Sequence, residues 1–274
     1  MKRSTLLGEL SAEFIGTFTI LIFGIGVVAQ VVLYGGKFGN YIVIPFAWGW
    51  GVALAIYISG GVSGAHLNPA VTLALALRRG FAWRKVPWYW AAQCAGAFVA
   101  AALMYFNYQE AFHRFDPGKT FKSQGVFSTL PNGVTVIGGL RDQIILTAIL
   151  VALIFALIDE RNVAPKANMG PFMIGILIIG IGEAFGANSG WAINPARDFG
   201  PRLFSWIAGW TTAWKTASGS VYFWVPIVGP LIGGAIGAFA YDFFIGQFLP
   251  TEPPVGRVEP QPPAAVSDVE ASKI

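Results

Sequence analysis

GVSGAHLNPAVT at residues 61–72 and ANSGWAINPARD at residues 187–198 share the run Asn-Pro-Ala, and each adjoins a long apolar span. Ordinary residue usage yields such a tripeptide on the order of once in several thousand positions. Two in 274 residues are therefore a repeated device. In each, Pro occupies the first turn of a short helix. Asn stands just before it, where its side-chain oxygen can satisfy free backbone N–H groups. The segments NPAVTLALAL and NPARDFGPRLF hold about ten helical residues each and span about 15 Å. That is half of a bilayer hydrocarbon core of about 30 Å. Each can dip in from one face and stop at the centre. Their Gly-rich approaches, GGVSGAHL and GANSGWAI, read as non-helical. Irregular backbone at membrane depth is tolerated only inside protein or along water. Its carbonyls then form a ladder of acceptors. Read instead as capped surface loops, the two runs would leave their apolar halves in water.

The rest of the chain fits a lipid environment. It is 55% hydrophobic and 12% charged, against roughly 25% charged residues in a soluble domain. Its mean hydropathy is +0.60. Six apolar spans are expected, near 10–34, 41–60, 86–107, 143–158, 169–187 and 222–246, with the fourth extensible through Gly139. The opening MKRSTLLGEL resembles a secretory leader, but the apolar run is too long and Glu13 stands at its entrance, so it reads as a true first span. The net charge of +4 is spread through the loops, which argues against a nucleic-acid partner. Cys94 is the single cysteine, which excludes an internal disulfide and reads as packing. No Cys/His ligand spacing is present, so neither a structural metal nor a cofactor is expected.

Six spans put both termini on one side. Lys2, Arg3, Arg78, Arg79, Arg84, Lys85, Arg161 and Lys166 then share that side in short segments. Lys37, Arg114, Lys119, Lys122, Arg141 and Lys215 fall opposite, several of them in the long 108–140 connection. The bias predicts a multi-pass protein of the cell membrane (inner or plasma) with cytoplasmic termini. Residues 1–246 form the expected membrane domain. The Pro-rich tail, 247–274, has nothing to bury and is expected to be disordered.

The membrane domain is two copies of one unit, about 7–107 and 139–246. Asn68 and Asn194 are 126 residues apart, and SAEFIGT at 11–17 echoes RDQIILT at 141–147. Each half runs span, span, Asn-Pro-Ala segment, span. Three spans is an odd number, so the halves insert in opposite orientations, as an inverted repeat with a site at the midplane. The fold class is therefore an all-α membrane protein of six transmembrane helices plus two re-entrant half-helices.

Asn68 and Asn194 are the first candidate site residues. Each side chain can cap its own helix and still offer an amide N–H to a lumen. Two helix N-termini add roughly half a positive charge each. Such a field repels cations and turns the oxygen of a passing water toward the Asn pair, which interrupts a proton wire. Arg197 lies three residues on, about 5 Å toward the outside, where an intramembrane guanidinium narrows a pore and repels cations. Asp198 and Arg202 stand at i and i+4 and can pair. His66, two residues before Asn68, is equally readable as lumen-facing or as packed. Glu183 is an unexplained carboxylate beside Gly182.

From about residue 7 to 246 the chain resembles the major intrinsic protein family, the aquaporins and glycerol facilitators. AEFIGT, SGAHLNPAVT and NPARDFGPR carry the resemblance. It implies one pore per subunit and a homotetramer. It also implies a narrow outer ring of Trp48, Gly182, Trp191 and Arg197, and supporting roles for Glu13 and Gln143. In the family a Glu in each repeat often accepts hydrogen bonds from the re-entrant loop; here the second is Gln143. Water-selective members carry His at the Gly182 position and a small residue at the Trp191 position. Two indoles as an apolar wall and a Gly that makes room imply a linear polyol. Glycerol would turn its carbon edge to the indoles and its hydroxyls to Arg197 and the loop carbonyls. Asp198, Arg202, Pro226 and Ile227 resemble the glycerol-facilitator subgroup and are expected to shape the outer half-helix without touching solute.

The function expected is passive conduction of glycerol, small polyols and water across the bilayer. The alternatives are a water-selective aquaporin and a coupled secondary transporter. Gly182 and Asp198 oppose the first. The second needs titratable or ion-binding groups at the midplane, where the candidates are few. An intramembrane enzyme would need a Ser–His or paired-carboxylate constellation, and His66 has no such partner evident in the sequence.

Overall fold

The computed structural model describes residues 5–251, and the described residues are helical apart from turns and one isolated bridge. The helices are α1 (Leu6–Leu33), α2 (Val43–Ser63), α3 (Pro69–Arg78), α4 (Val86–Asn107), α5 (Gln109–Phe115), α6 (Phe121–Gln124), α7 (Val136–Ile158), α8 (Gly170–Phe185), α9 (Pro195–Ile207) and α10 (Val225–Phe244). Five of them are long and apolar enough to cross a membrane; α8 is apolar but has 16 residues. With α8 they make the six expected spans, and α3 and α9 are the two half-helices. At 10 and 13 residues these are about 15 and 20 Å long.

The boundaries follow from local chemistry. Thr5 caps α1 by accepting from the Gly8 N–H. Gly64, at φ +85°, ends α2 in the left-handed region and turns the chain into the first re-entrant stretch. The fourth span begins earlier than 143, because Thr135 caps α7 through the Gly138 N–H. The half-helix α9 runs beyond 204 to Ile207. The 108–140 connection contains the short helices α5 and α6. Most of the 247–274 tail, residues 252–274, lies outside the described residues, as do Lys2 and Arg3; Gly246–Phe248 forms a 3-10 turn.

Packing repeats across the halves. α1 packs on α2 and α4, and α7 packs on α8 and α10. Each half-helix packs on the last helix of the other half, α3 on α10 and α9 on α4. Small residues allow the close approaches, and they act within the chain. A Cβ on Gly96 would lie 2.3 Å from the Phe14 carbonyl oxygen. On Gly233 or Gly237 it would lie 2.2 Å from the Ile144 or Ala148 oxygen. Where α2 crosses α8 the contact is reciprocal. A Cβ on Gly49 would meet the Gly175 oxygen at 2.5 Å, and one on Gly175 would meet the Gly49 oxygen at 2.6 Å. Their spacing equals that of Asn68 and Asn194, so this crossing marks the axis relating the two halves. Gly49→Val is expected to destabilise the fold by about 1–3 kcal/mol or more, since backbone and not a flexible side chain must yield. Thermal unfolding of the purified protein in detergent measures it; an unchanged midpoint would show that the crossing tolerates extra volume.

Ion pairs tie the half-helix α3 to the end of α10. Asp242 accepts from Arg78 at 2.6 Å and from Arg79 at 2.7 Å. Asp159, just past α7, accepts from Arg161 and from the Tyr241 hydroxyl. The Arg161 side chain holds the Asp159 carboxyl down, at about 2.

Candidate functional site

The two Asn-Pro-Ala segments meet. Asn68 and Asn194 are the N-caps of α3 and α9, with φ/ψ of −157°/122° and −152°/108°, and Pro follows each in the first turn. The Asn68 Oδ1 accepts from the Ala70 N–H at 2.8 Å. The Asn194 Oδ1 accepts from Ala196 at 3.0 Å and Arg197 at 3.2 Å. The amide nitrogens then cross over. Asn68 Nδ2 donates to the Ile193 carbonyl and Asn194 Nδ2 to the Leu67 carbonyl, both at 2.8 Å. An amide nitrogen carries two N–H groups, so each Asn keeps one for a lumen. Both line a cavity of about 240 Å³ that also takes in Trp48, His66, Trp191 and Arg197.

The approaches share an unusual backbone. Ala65 and Leu67 have φ of +51° and +54°; Trp191 and Ile193 have +34° and +44°. The same two positions before each Asn thus sit in the left-handed region, which costs free energy for residues with a side chain. Surrounding hydrogen bonds hold them there. The wholly buried Glu13 accepts from the His66 and Leu67 N–H groups at 2.9 and 2.7 Å. It also accepts from Ser63 and Gln93, each at 2.7 Å. In the second half the Gln143 Oε1 accepts from the Ile193 N–H at 2.9 Å, and its Nε2 donates to Ser189 Oγ at 2.7 Å. With its oxygen taken by Ile193, Gln143 turns its nitrogen to Ser189, and an amide nitrogen cannot accept the hydroxyl proton as the Glu13 carboxylate accepts that of Ser63. Asp142 accepts it instead. The carboxylate missing at Gln143 has moved one residue upstream. Ser63 and Ser189 occupy equivalent positions, and that spacing was the one sequence signal for this substitution.

Arg197 is buried against the cavity, its guanidinium carbon 4.1 Å from the Trp48 ring centroid. No hydrogen bond from its side chain to the described residues is present, so its donors face the cavity. The Trp48 Nε1 is likewise without a partner among the described residues. His66 combines both readings: it lines the cavity, its ring packs against Phe81 and Tyr89, and its Nδ1 lies 3.2 Å from Thr72 Oγ1. Gly182 lies beside the Trp191 indole, which fills the space next to it: a Cβ there would lie 3.0 Å from Trp191 Cζ2 and 2.9 Å from Pro45 Cβ. Glu183 is exposed near the end of α8, away from the cavity lining.

Asp198 and Arg202 form a wholly buried pair at 2.7 Å. Asp198 also accepts from the Thr129 N–H and hydroxyl, and Arg202 donates to the Thr129 and Ala213 carbonyls. Beyond the pair itself, their polar atoms are spent on loops around α9, and neither residue lines the cavity. A buried pair so saturated avoids the desolvation cost of an isolated charge.

The sequence matches the family described as Major intrinsic protein over residues 1–241. It is 44% identical over 261 residues to the "Glycerol uptake facilitator protein" of Escherichia coli, covering 92% of each chain. It is 40% identical over 263 residues to "Aquaporin-9" of Homo sapiens, covering 94% of this chain and 89% of that one. The solved aquaglyceroporin from Plasmodium falciparum matches with a TM-score of 0.79 and 32% identity, over 88% of this chain and 97% of the other. The helix order, the paired half-helices and this match over residues 1–241 agree, and the chain belongs to the major intrinsic protein family.

Proposed function

We propose that this chain is a passive channel that conducts glycerol, small polyols and water and excludes protons and ions. The observation that carries the reading is the pair of half-helix tips joined by Asn68 and Asn194 beside an apolar-walled cavity. Relatives named as a glycerol uptake facilitator and as an aquaglyceroporin support the choice of solute. In this reading Asn68 and Asn194 form the pore centre, and Trp48, Trp191 and Arg197 the outer constriction, with Gly182 seating the second indole. Glu13, Gln143 and His66 hold the loops, and Asp198 and Arg202 hold α9. Residues 1–246 act as one channel unit of two repeats. The unit works as a homotetramer in the inner or plasma membrane, termini in the cytoplasm. The charge bias supports that orientation.

Reconstitution into liposomes tests the function. After a hyperosmotic glycerol step, light scattering is expected to show fast shrinkage followed by facilitated re-swelling, with no proton or sodium gradient imposed. Fast shrinkage without re-swelling would assign a water-restricted channel. Uptake only under an ion gradient would assign a coupled transporter.

A further inference from the structure

The Trp191 indole is held from outside the cavity by a residue that does not line it. Tyr41, in the turn between α1 and α2, donates its hydroxyl to the Gly182 carbonyl at 2.6 Å. Its ring meets the Trp191 ring edge to face, centroids 5.8 Å apart and planes at 77°. Both rings rest on α8. A Cβ on Gly186 would fall 1.8 Å from the Tyr41 hydroxyl oxygen and 2.4 and 2.5 Å from Trp191 Cε3 and Cζ3. One helical turn earlier, a Cβ on Gly182 would press on Trp191 Cζ2 and on Pro45. The indole thus lies across two bare positions, Gly182 of α8 and Gly186 at its C-cap, with the Tyr41 ring against it.

Such support has a physical purpose. Trp191 sits at φ +34°, a region that a bulky side chain does not occupy unaided. Its indole is 5% exposed and faces the cavity from a loop, not from a helix. A loop-borne ring sets a sharp size limit only if it cannot swing. Tyr41 is 43% exposed and outside the cavity lining, so it has no direct contact with a solute inside.

We propose that Tyr41 is a positioning residue for solute selection: its hydroxyl fixes its ring on Gly182, its ring fixes the Trp191 indole, and the indole sets the width of the outer constriction. The inference rests on the channel reading given above. The rival is that Tyr41 merely ties the α1–α2 turn to α8. That role would alter stability and leave the solute ratio alone.

The test uses the full chain in liposomes and reads the ratio of xylitol to glycerol permeability, both solutes in the same preparation so that the number of active channels cancels. Tyr41→Ala is expected to raise the ratio at least about threefold, the scale of one aromatic edge contact. Tyr41→Phe, which keeps the ring, is expected to fall between wild type and Tyr41→Ala. In a Trp191→Ala background, Tyr41→Ala is expected to add nothing. An unchanged ratio in Tyr41→Ala, alongside a raised one in Trp191→Ala, would overturn the inference and spare the channel reading. An unchanged ratio in Trp191→Ala would remove the constriction itself and the inference with it. Should Tyr41→Ala not insert, Tyr41→Leu decides in its place, because it keeps bulk and lacks both ring and hydroxyl.

Discussion

Replacing Arg197 with Val is expected to make the conduit leak monovalent cations, with conductance rising about a hundred- to a thousandfold over the wild-type background. The guanidinium carries the one formal charge among the described cavity-lining residues, and no carboxylate there offsets it. A like charge passing at about 4 Å, in surroundings of effective dielectric about 20, meets roughly 4 kcal/mol of repulsion. Every 1.4 kcal/mol is about tenfold, which sets the upper figure. The lower one allows for what stays behind. Two half-helix N-termini still point at the Asn pair with about half a charge each. Arg197→Lys keeps the charge and is expected to keep the block, although it lacks the planar fork that can grip two hydroxyls at once. Planar-bilayer recording under a potassium gradient reads the conductance directly. A tight block in Arg197→Val, with glycerol flux intact, would mean that the barrier lies wholly at Asn68 and Asn194.

The parts of this fold that could be read in advance are those whose causes are local. An Asn before a Pro caps a helix through atoms two and three residues away, so α3 and α9 began where expected. Pro87 in the first turn marks the start of α4, which matched its expected bounds of 86–107. The inversion of the repeat followed from parity alone. Other features have distant causes. Polar RDQ at 141–143 looks like a helix boundary, yet α7 continues through it, because Gln143 finds the Ile193 N–H some fifty residues on. The length of α9 depends on Arg202 being neutralised within the helix by Asp198 and then saturated by loop carbonyls. Gly182 was expected to make room beside the two indoles; that room adjoins the Trp191 ring, a contact between a helix and a loop that no spacing rule reveals. Gly49 and Gly175 had a sequence signal, since they repeat at the same interval as the two Asn residues. That signal is weak in a chain with 34 glycines.

The indole pair yields the second large effect. Replacing Trp48 and Trp191 together with Ala is expected to raise the permeability ratio of five-carbon polyols to glycerol on the order of ten- to a hundredfold. Both rings line the cavity, at 4% and 5% exposure. They make an apolar surface against which a CH edge can lie, and they bound the space beside Arg197, whose guanidinium stacks on the Trp48 ring at 4.1 Å. Discrimination by an apolar wall is worth about 1–3 kcal/mol per methylene, or about ten- to two-hundredfold. Removing the wall forfeits that much for a longer chain. Water flux is expected to rise less, because water needs neither the carbon-edge contact nor the width. The single variants should differ. Trp48 also fills space over Gly24 of α1, where a Cβ would lie 2.4 Å from the indole, so Trp48→Ala loosens packing as well as the lumen. Trp191→Ala vacates the cradle on Gly182 and Gly186 and leaves α1 untouched, which makes it the cleaner measure of selection. Stopped-flow light scattering with glycerol, erythritol and xylitol gives the ratios in one preparation. Equal ratios in wild type and the double variant would mean that solute size is judged elsewhere, at the Asn pair or along the carbonyl ladder. The two aromatic rings would then be scaffolding for Arg197.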